Sequence, residues 1–270
     1  MLHSFSEAFS FPFMRNALYG SLLIGLVSSI VGIYVVLRRI TFLGIGLAQV
    51  SSLGVALATF FSLNKDILAV IMVLLCLLFL VLATRGREKV PRDALIGVIY
   101  SFALALSLLL LAKSAKGEAG VMESLFGNLL AIRTKDIYLL LAAFFPVGLV
   151  YILFSKEITA TSFDGETSRA MGLNTGLWNF VFYLTVGIVI ALSTRLSGVF
   201  FSFSMLVVPP FVALLASRSL RMAFFFPIVI VLPSVILGLY FSYIWDLPPS
   251  GIIVAISLFF LLLASAVKRR

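Results

Sequence analysis

Residues 71–83 read IMVLLCLLFLVLA, a run of thirteen residues without a charged side chain. A strand of a membrane barrel would alternate apolar and polar residues, whereas this run is apolar on every side. The charge-free stretch extends from Ile67 to Thr84. At about 1.5 Å per residue, a helix of that length covers most of a hydrocarbon layer about 30 Å thick. We therefore predict a membrane-spanning helix here.

The rest of the chain has the same character. Of its 270 residues, 62% are hydrophobic and 11% are charged, and its mean hydropathy is +1.19. Soluble domains are about 45–50% apolar and about 25% charged, so lipid and not water is the main solvent that we expect for this chain. The single cysteine and the single histidine exclude a disulfide framework and a zinc site built from these two residue types.

The predicted fold class is an all-α integral membrane protein: a polytopic bundle of about nine transmembrane helices in a single domain over residues 1–270. Residues 1–16 form a short outer segment. The second run contains Gly44, Gly46 and Gly54 and could be broken or re-entrant, which leaves eight spans possible. The predicted spans are Ala17–Leu37, Ile40–Leu63, Ile67–Thr84, Ala94–Ala112, Ile137–Ser155, Leu177–Thr194, Leu196–Ser217, Met222–Trp245 and Leu247–Val267. The segment Lys113–Asp136 could hold a further short outer helix.

The basic residues predict how these spans are oriented, because Lys and Arg collect on the cytoplasmic side. If the carboxyl terminus lies inside, 13 of the 20 basic residues are cytoplasmic and the amino terminus lies outside. Their scatter among the loops argues against nucleic acid as a partner. The cytoplasmic set is Arg38, Arg39, Arg85, Arg87, Lys89, Arg92, Lys156, Arg169, Arg218, Arg221, Lys268, Arg269 and Arg270.

The predicted spans lack the groups that transport driven by protons or sodium ions usually needs. None of them contains Asp, Glu or His, and the two charged residues at outer span ends, Arg195 and Asp246, are interpreted as interface anchors. The chain also has no phosphate-binding GxxxxGK[ST] loop and no hydrolase motif. We therefore expect neither an enzyme nor a bound cofactor, and energy for uphill transport would have to come from another protein.

One inner loop is unusual, because Lys156–Gly176 holds three acids against two bases. Asp164 is placed to cap a short helix, with Glu166 in its first turn. Gly172 can end this helix in a left-handed conformation, with Leu173 packing back. A helix of about two turns follows, with an apolar edge. Since a helix that lies on lipid is usually rich in Lys and Arg, a cytoplasmic protein is the better partner.

Four segments together resemble one family of membrane proteins: PFMRNAL followed by VVLRRITFLG (Val35–Gly44), FDGETSRAMGLN (Phe163–Asn174), SMLVVPPFVALLASRSLR (Ser204–Arg221) and YFSYIWDLPPSGIIV (Tyr240–Val254). In order and spacing they are similar to the permease subunit of ABC-type importers of zinc, manganese or iron.

The resemblance implies a homodimer of permeases in the bacterial cytoplasmic (inner) membrane and a binding protein outside. It also implies a cytosolic ABC ATPase that supplies ATP chemistry and docks on the 156–176 loop. The docking residues that it implies are Phe163, Asp164, Gly165, Glu166, Arg169, Ala170, Met171 and Gly172.

The sequence departs from this family at two positions of the second span. Typical members carry an Asp and, four residues later, a His, which can reach one cation from the same helix face. This chain has Ile45 and Gln49 there, with Ser51 and Ser52 following. We assign these four residues and Pro209 to a candidate translocation path; no metal ligand stands out, and Gln49 is a weak candidate.

Three cargoes stay open: a metal ion held by weaker oxygen ligands, a metal chelate, and a different small solute. Gln49 could also do no more than hydrogen-bond a neighbouring helix. Two other classes of protein remain as alternatives, a self-sufficient channel or facilitator and a membrane scaffold without transport activity.

Overall fold

The computed structural model describes residues 9–84, 92–114, 117–217 and 219–268, and every regular element in these ranges is a helix. Eight of the helices are long and apolar enough to cross a membrane. The prediction of an all-α polytopic membrane protein is confirmed.

The elements are α1 (Pro12–Leu37), α2 (Thr41–Phe60), α3 (Lys65–Thr84), α4 (Arg92–Ala112), α5 (Gly117–Phe126), a 3-10 turn (Leu129–Ala131), α6 (Thr134–Leu153), α7 (Ser155–Phe163), α8 (Gly165–Ala170), α9 (Thr175–Ala216), α10 (Leu220–Trp245) and α11 (Pro249–Lys268).

Helix α1 runs through the middle of the bundle and defines its two ends. Near its start, Gly20 packs against Ile132, close to the first turn of α6. At its other end, Arg38 hydrogen-bonds to α7. We call the first the Arg195 end, because Arg195 pairs there with Asp136 of α6, and the second the Arg38 end.

Helix α9 is the longest element, with 42 residues, and Gly198 interrupts it with φ 78° and ψ 170°. An unbroken helix of that length would measure about 63 Å, twice the thickness of a hydrocarbon layer. The first arm, 175–197, passes from Phe182, stacked under Arg38, to Arg195. The second arm, 199–216, turns back along α1, since Met205 bonds to Ser29 and Leu206 packs on Gly32.

The next helix confirms that the chain reverses at Gly198. Phe224, near the start of α10, contacts Tyr34 at the Arg38 end, and Tyr243, near its end, contacts Phe11 at the start of α1. The second arm of α9 must therefore have returned to the Arg38 end. In the described ranges, eight helices are long enough to span a membrane, and α9 supplies two passes because it reverses at Gly198. The resulting nine passes agree with the nine predicted spans. The suspected break in the second span is wrong, because α2 is continuous from Thr41 to Phe60.

Two adjacent prolines in the second arm of α9 are used for packing against α1. Pro209 and Pro210 lack the N–H groups that would bond to the carbonyls of Met205 and Leu206. The Ser29 hydroxyl lies 3.0 Å from the Met205 oxygen and can donate to it. Gly32 lets the Leu206 oxygen approach so closely that a Cβ on Gly32 would lie 1.9 Å from it. The Ser29 hydroxyl has one hydrogen and also lies 2.6 Å from the Gly25 carbonyl of its own helix, so the Gly25 and Met205 carbonyls share this donor. The two helices therefore pack closely at Gly32, and Ser29 contacts one of the carbonyls that the prolines leave without an N–H donor.

We expect Gly32→Ala to destabilise the bundle by about 1–3 kcal/mol, the usual cost of forcing an extra methyl group into a packed contact. Backbone would have to move, because the clashing atom is the Leu206 carbonyl oxygen. Gly97→Ala in α4 is the matched control, since nothing lies within 4 Å of the added methyl group. Thermal unfolding in detergent measures both variants. Equal melting temperatures for the two would contradict this packing.

The helix suspected between Lys113 and Asp136 is present as α5, followed by the 3-10 turn Leu129–Ala131. Gly127 ends α5 with φ 73° and touches the backbone of Ser197 and Gly198. α5 therefore covers the point where α9 reverses.

Candidate functional site

At the Arg38 end, α8 has the boundaries that the sequence predicts. Asp164 Oδ1 accepts hydrogen bonds from the backbone N–H groups of Glu166, at 2.9 Å, and Thr167, at 3.1 Å. At the other end, Gly172 has φ 83°, its N–H bonds to the Arg169 carbonyl, and the N–H of Leu173 bonds to the Ser168 carbonyl, both at 3.0 Å. This is the Schellman arrangement, and both predicted caps are confirmed.

The Asp164 cap is charged at neutral pH. The Thr167 hydroxyl and the Thr167 backbone N–H donate to its carboxylate and lower the pKa of that group below its ordinary value. A carboxylate with a lowered pKa stabilises the folded loop above its unfolded pKa and loses this effect only as the pH falls through the folded pKa. The cap is therefore retained throughout the neutral range.

The candidate docking residues lie together on an exposed surface. Phe163 is 61% exposed and Met171 65% exposed, although both are large and apolar. Glu166, Arg169 and Ala170 lie beside them, while the neighbouring Ser168 is buried against the bundle. Phe163 ends α7 and Met171 is the carboxyl-terminal cap of α8, so the two exposed apolar side chains flank a capped helix that carries exposed charges. Exposed apolar groups beside charges have the character of a protein contact surface. Docking itself stays a prediction.

Sequence reasoning missed the helix that supports this surface. α7, Ser155–Phe163, precedes α8, and only Asp164 separates the two. We predicted a loop from Lys156 onward, with a short helix only after Asp164. The sequence SKEITATSF is rich in Ser and Thr and has little apolar periodicity. Tertiary contacts stabilise the helix: Ile158 is fully buried, and Thr159 hydrogen-bonds to Tyr34 of α1 at 3.1 Å.

At the Arg195 end, the helices line an open cavity of about 370 Å³. Its walls come mainly from α2, α5, α6 and the first arm of α9, and α3 and α4 contribute one residue each. The charged side chains that line it are Lys65, Glu123, Arg133, Lys135, Asp136 and Arg195, and its polar neighbours include Ser52, Thr59, Ser124, Asn128 and Thr194. Four bases therefore face two acids in this cavity.

Arg195 corrects one interpretation from the sequence. We expected a residue at the membrane interface, but Nη1 of Arg195 lies 2.8 Å from Asp66 and 3.0 Å from Asp136. The three side chains are only 19%, 24% and 11% exposed in that order. Since Asp66 begins α3 and Asp136 begins α6, one arginine joins both helix starts to α9, three residues before the reversal at Gly198. Sequence alone could not pair groups 59 and 129 positions from Arg195.

We expect Arg195→Gln to lower stability by about 2–3 kcal/mol, less than the roughly 3–5 kcal/mol for a fully buried pair, because the carboxylates keep some contact with water. Adding Asp66→Asn and Asp136→Asn should restore most of this loss, since no unpaired charge then remains. The amide oxygen introduced by Asp136→Asn would still accept from the Arg133 N–H, as the Asp136 carboxylate does now at 3.0 Å. Denaturant unfolding in mixed micelles measures the three proteins. A triple variant no more stable than Arg195→Gln would contradict this account.

Gln49 lies deeper in the bundle than the cavity and is 1% exposed. Its Nε2 donates to Ser107 of α4 at 3.2 Å. Its carbonyl oxygen, Oε1, has no hydrogen-bond partner among the residues that the structure describes. The bond to a neighbouring helix agrees with the structural role that we left open for Gln49. The unpaired oxygen leaves it one acceptor for a ligand.

The other candidate path residues are not all on one surface. Ser52, one turn from Gln49, lines the cavity and hydrogen-bonds to Ser124 of α5. Ser51 instead donates to the Ala191 carbonyl of α9, at 3.0 Å. Ile45 is half-buried one turn below Gln49, and Pro209 is buried in the arm that packs on α1. Their assignment to a translocation path stays a prediction.

The fold and these two sites define a class of protein. A helical bundle that spans the membrane, with a polar cavity at one end and an exposed capped helix at the other, is a polytopic membrane permease. The chain belongs to the ABC 3 transport family, whose model matches residues 10–268.

Curated relatives match almost the entire chain. It is 28% identical to the manganese import system permease protein ScaB of Streptococcus gordonii, over 93% of this chain and 90% of that protein. It is also 28% identical to the manganese transport system membrane protein MntC of Listeria monocytogenes, over 96% of this chain and 92% of that protein.

Solved structures share the fold. PsaBC from Streptococcus pneumoniae, solved in complex with Fab, matches with a TM-score of 0.88 at 26% identity, over 98% of this chain and 95% of the matched chain. The inward-facing conformation of a putative metal-chelate type ABC transporter matches with a TM-score of 0.75 at 17% identity, over 93% of this chain and 85% of that one, and shows the fold alone.

Some of the residues in our predictions lie outside the described part of the chain. These are residues 1–8 of the amino-terminal segment and the basic residues Arg85, Arg87, Lys89, Arg218, Arg269 and Arg270.

Proposed function

We propose that this chain is the permease subunit of an ATP-driven importer that moves a divalent transition-metal ion, Mn²⁺ first among the candidates, across the bacterial cytoplasmic membrane. One observation carries the proposal: the chain matches permeases named for manganese import or transport over 93–96% of its length. Zinc and iron remain further candidates within the same class.

The chain would not hydrolyse ATP itself and would bind no cofactor of its own. A separate cytosolic ABC ATPase would dock on the surface formed by Phe163, Glu166, Arg169, Ala170 and Met171. The exposure of this surface and its capped, rigid backbone support the assignment. In this arrangement the Arg38 end and the carboxyl terminus face the cytoplasm, and the amino terminus faces outside.

Two further partners complete the proposed assembly. A second copy of this chain would pair with it to enclose a central path, as the family resemblance implies. An extracytoplasmic binding protein would deliver the cargo to the Arg195 end, where the cavity lies.

The side chains near the cavity suit a hard cation better than a soft one. Gln49 Oε1 and the Ser52 hydroxyl would offer oxygen atoms to a cation, and carbonyl, carboxylate and water oxygens are ligands that Mn²⁺ accepts readily. Zn²⁺ sites are more often built from thiolate and imidazole. The replacement of a family Asp and His by Ile45 and Gln49 therefore weakens the case for zinc more than the case for manganese.

A second candidate cargo is an anionic metal chelate. The observation that favours it is the lining of the cavity, in which Arg195 is already paired with Asp66 and Asp136. Of the other charged residues of the lining, Lys65, Arg133 and Lys135 outnumber Glu123. An excess of basic groups repels a bare dication and attracts a carboxylate-bearing complex.

Uptake into proteoliposomes tests these proposals. The purified chain is reconstituted with its cognate ATPase, and Mn²⁺, Zn²⁺, Fe²⁺ and citrate-chelated metal are offered in turn, with ATP or with a non-hydrolysable analogue. ATP-dependent accumulation of free Mn²⁺ is the expected result. Accumulation of only the chelated metal would favour the second cargo. Uptake by vesicles that lack the ATPase would overturn the importer and favour a channel.

A further inference from the structure

Arg38 lies where α1 ends, and its guanidinium hydrogen-bonds to two other elements. Nε donates to the Ser162 hydroxyl of α7 at 2.9 Å, and Nη2 donates to Thr161 Oγ1 at 3.4 Å. Nη1 donates to Asn179 Oδ1, in the first arm of α9, at 2.7 Å. One planar group therefore joins α1, α7 and α9.

An aromatic ring fixes the plane of this group. The Cζ atom of Arg38 lies 3.9 Å from the centre of the Phe182 ring, also in the first arm of α9. Guanidinium groups stack favourably on aromatic faces, and stacking leaves the N–H groups free to bond at the edge. The three acceptors are all neutral, so the attachment depends on the distance and angle of each hydrogen bond rather than on long-range charge attraction.

The hydroxyl groups of α7 are arranged to accept from Arg38. Ser162 Oγ donates its own hydrogen to the Ile158 carbonyl, at 2.5 Å, and Thr161 Oγ1 donates to the Glu157 carbonyl, at 2.9 Å. Each hydroxyl thus keeps its lone pairs for the guanidinium. Both hydroxyl groups are anchored to backbone carbonyls of α7. A movement of α7 would therefore move the two acceptors to which Arg38 is bonded.

From Arg38, the contacts continue through α7 to the exposed α8 surface. Only Asp164 separates α7 from α8, and it caps α8 through its side chain. On the other side, α1 contacts the second arm of α9 through Ser29 and Gly32, at Met205 and Leu206. A displacement of α8 therefore has a continuous route of packed backbone and hydrogen bonds to both arms of α9.

We infer that Arg38 is the positioning residue that transmits movement of α7 and α8 to α1 and to both arms of α9 during the transport cycle. The inference rests on the proposed function, in which the ATPase docks on α8. The hydrogen bond between Tyr34 and Thr159, at 3.1 Å, is a second connection between α1 and α7, and it reaches α9 only indirectly, through the Tyr151 ring. Arg169 of α8 donates to Thr175 at the start of α9, at 3.4 Å, but it does not contact α1. Of these residues, Arg38 is the one whose hydrogen bonds reach both α7 and α9.

The test compares Arg38→Gln with Arg39→Gln in proteoliposomes that also contain the ATPase. Arg39 is the adjacent residue and is exposed, so it is a matched control for charge. Two quantities are measured: the affinity of the permease for the ATPase, and Mn²⁺ taken up per ATP hydrolysed. For Arg38→Gln we expect unchanged affinity and a loss of about tenfold in uptake per ATP, within the 5–150-fold usual for coupling between sites. Arg39→Gln should match the unaltered chain in both.

A conservative change separates geometry from charge. Arg38→Lys keeps the positive charge but loses the planar fork, so it should also show reduced uptake per ATP. Full coupling in Arg38→Lys or in Arg38→Gln would overturn the inference. So would an ATPase affinity that falls in proportion to uptake, because Arg38 would then shape the docking surface and not transmit movement.

Two further variants keep the inference testable if changes at Arg38 prevent folding. Ser162→Ala and Asn179→Ala each remove one acceptor and leave Arg38 in place. Both should lower uptake per ATP, and normal coupling in both would overturn the inference. Failure of the docking proposal is seen separately, as an ATPase that still binds after the α8 surface has been altered.

Discussion

Replacing Gly198 by alanine is expected to destabilise the fold strongly and to lower the yield of folded protein. Gly198 has φ 78° and ψ 170°, a backbone conformation that is open almost only to glycine. A Cβ there would also lie 2.3 Å from the Gly127 nitrogen and 2.7 Å from the Leu125 oxygen. Backbone strain and overpacking together cost about 2–6 kcal/mol, a large part of the roughly 5–15 kcal/mol that stabilises a folded protein.

Alanine substitutions at three other glycines distinguish the cost of backbone strain from the cost of overpacking. Gly172 has φ 83° but nothing within 4 Å of an added Cβ, so Gly172→Ala carries the backbone strain alone. Gly32→Ala carries the clash alone, and Gly97→Ala carries neither. We expect the yield of monodisperse protein and the melting temperature to be lowest for Gly198→Ala, intermediate for Gly32→Ala and Gly172→Ala, and unchanged for Gly97→Ala. A Gly198→Ala variant as stable as Gly97→Ala would disprove the reversal at this residue.

A charge at Met171, on the exposed α8 surface, should impair ATPase binding and transport without unfolding the chain. Met171 is 65% exposed, so Met171→Asp costs little in the isolated permease. If the ATPase packs an apolar group against it, a buried unpaired carboxylate would weaken binding by about 2 kcal/mol or more, roughly 30-fold, the loss typical of an interface residue that contributes strongly to binding. ATPase affinity and ATP-dependent Mn²⁺ uptake should fall together.

The control for this change lies at the opposite end of the molecule. Met122 of α5 is 59% exposed and is not part of the cavity lining. Met122→Asp therefore introduces the same charge at a similar exposure and should leave ATPase affinity unaltered. Glu166→Lys and Arg169→Glu, which reverse charges on the α8 surface, should weaken binding as Met171→Asp does. An ATPase that binds all three α8 variants normally would overturn the docking assignment.

Local chemistry explains why α8 could be predicted to within a residue at its caps. Asp164 and Gly172 act on backbone groups two to five positions away, and such interactions depend on sequence spacing alone. α7 has no comparable signal, because its stability comes from Ile158 in the core and from Thr159 and Ser162 bonded to α1 and to Arg38 at its end. A helix stabilised by distant partners cannot be read from its own residues.

The same distinction applies to the candidate path. The loss of the family's charged pair at Ile45 and Gln49 was visible in the sequence, since it is a matter of residue identity. That Gln49 keeps an unpaired oxygen while its nitrogen bonds to Ser107 depends on how α2 and α4 pack. The ion pairs of Arg195 with Asp66 and Asp136 likewise join residues far apart in the chain.

The sequence by itself determined that the chain is a helical membrane protein of about nine passes with a capped helix between two of them. The length of the charge-free segments predicts the spans, because only segments whose backbone groups are hydrogen-bonded within the segment are stable in hydrocarbon. The capping residues predict the short helix. Only the tertiary structure decided where α9 reverses, that Pro209 and Pro210 expose carbonyls to α1, and that Arg38 and Arg195 bind at opposite ends of the bundle. Each of these depends on which helix faces which, and packing between distant segments leaves no regular pattern along a uniformly apolar sequence.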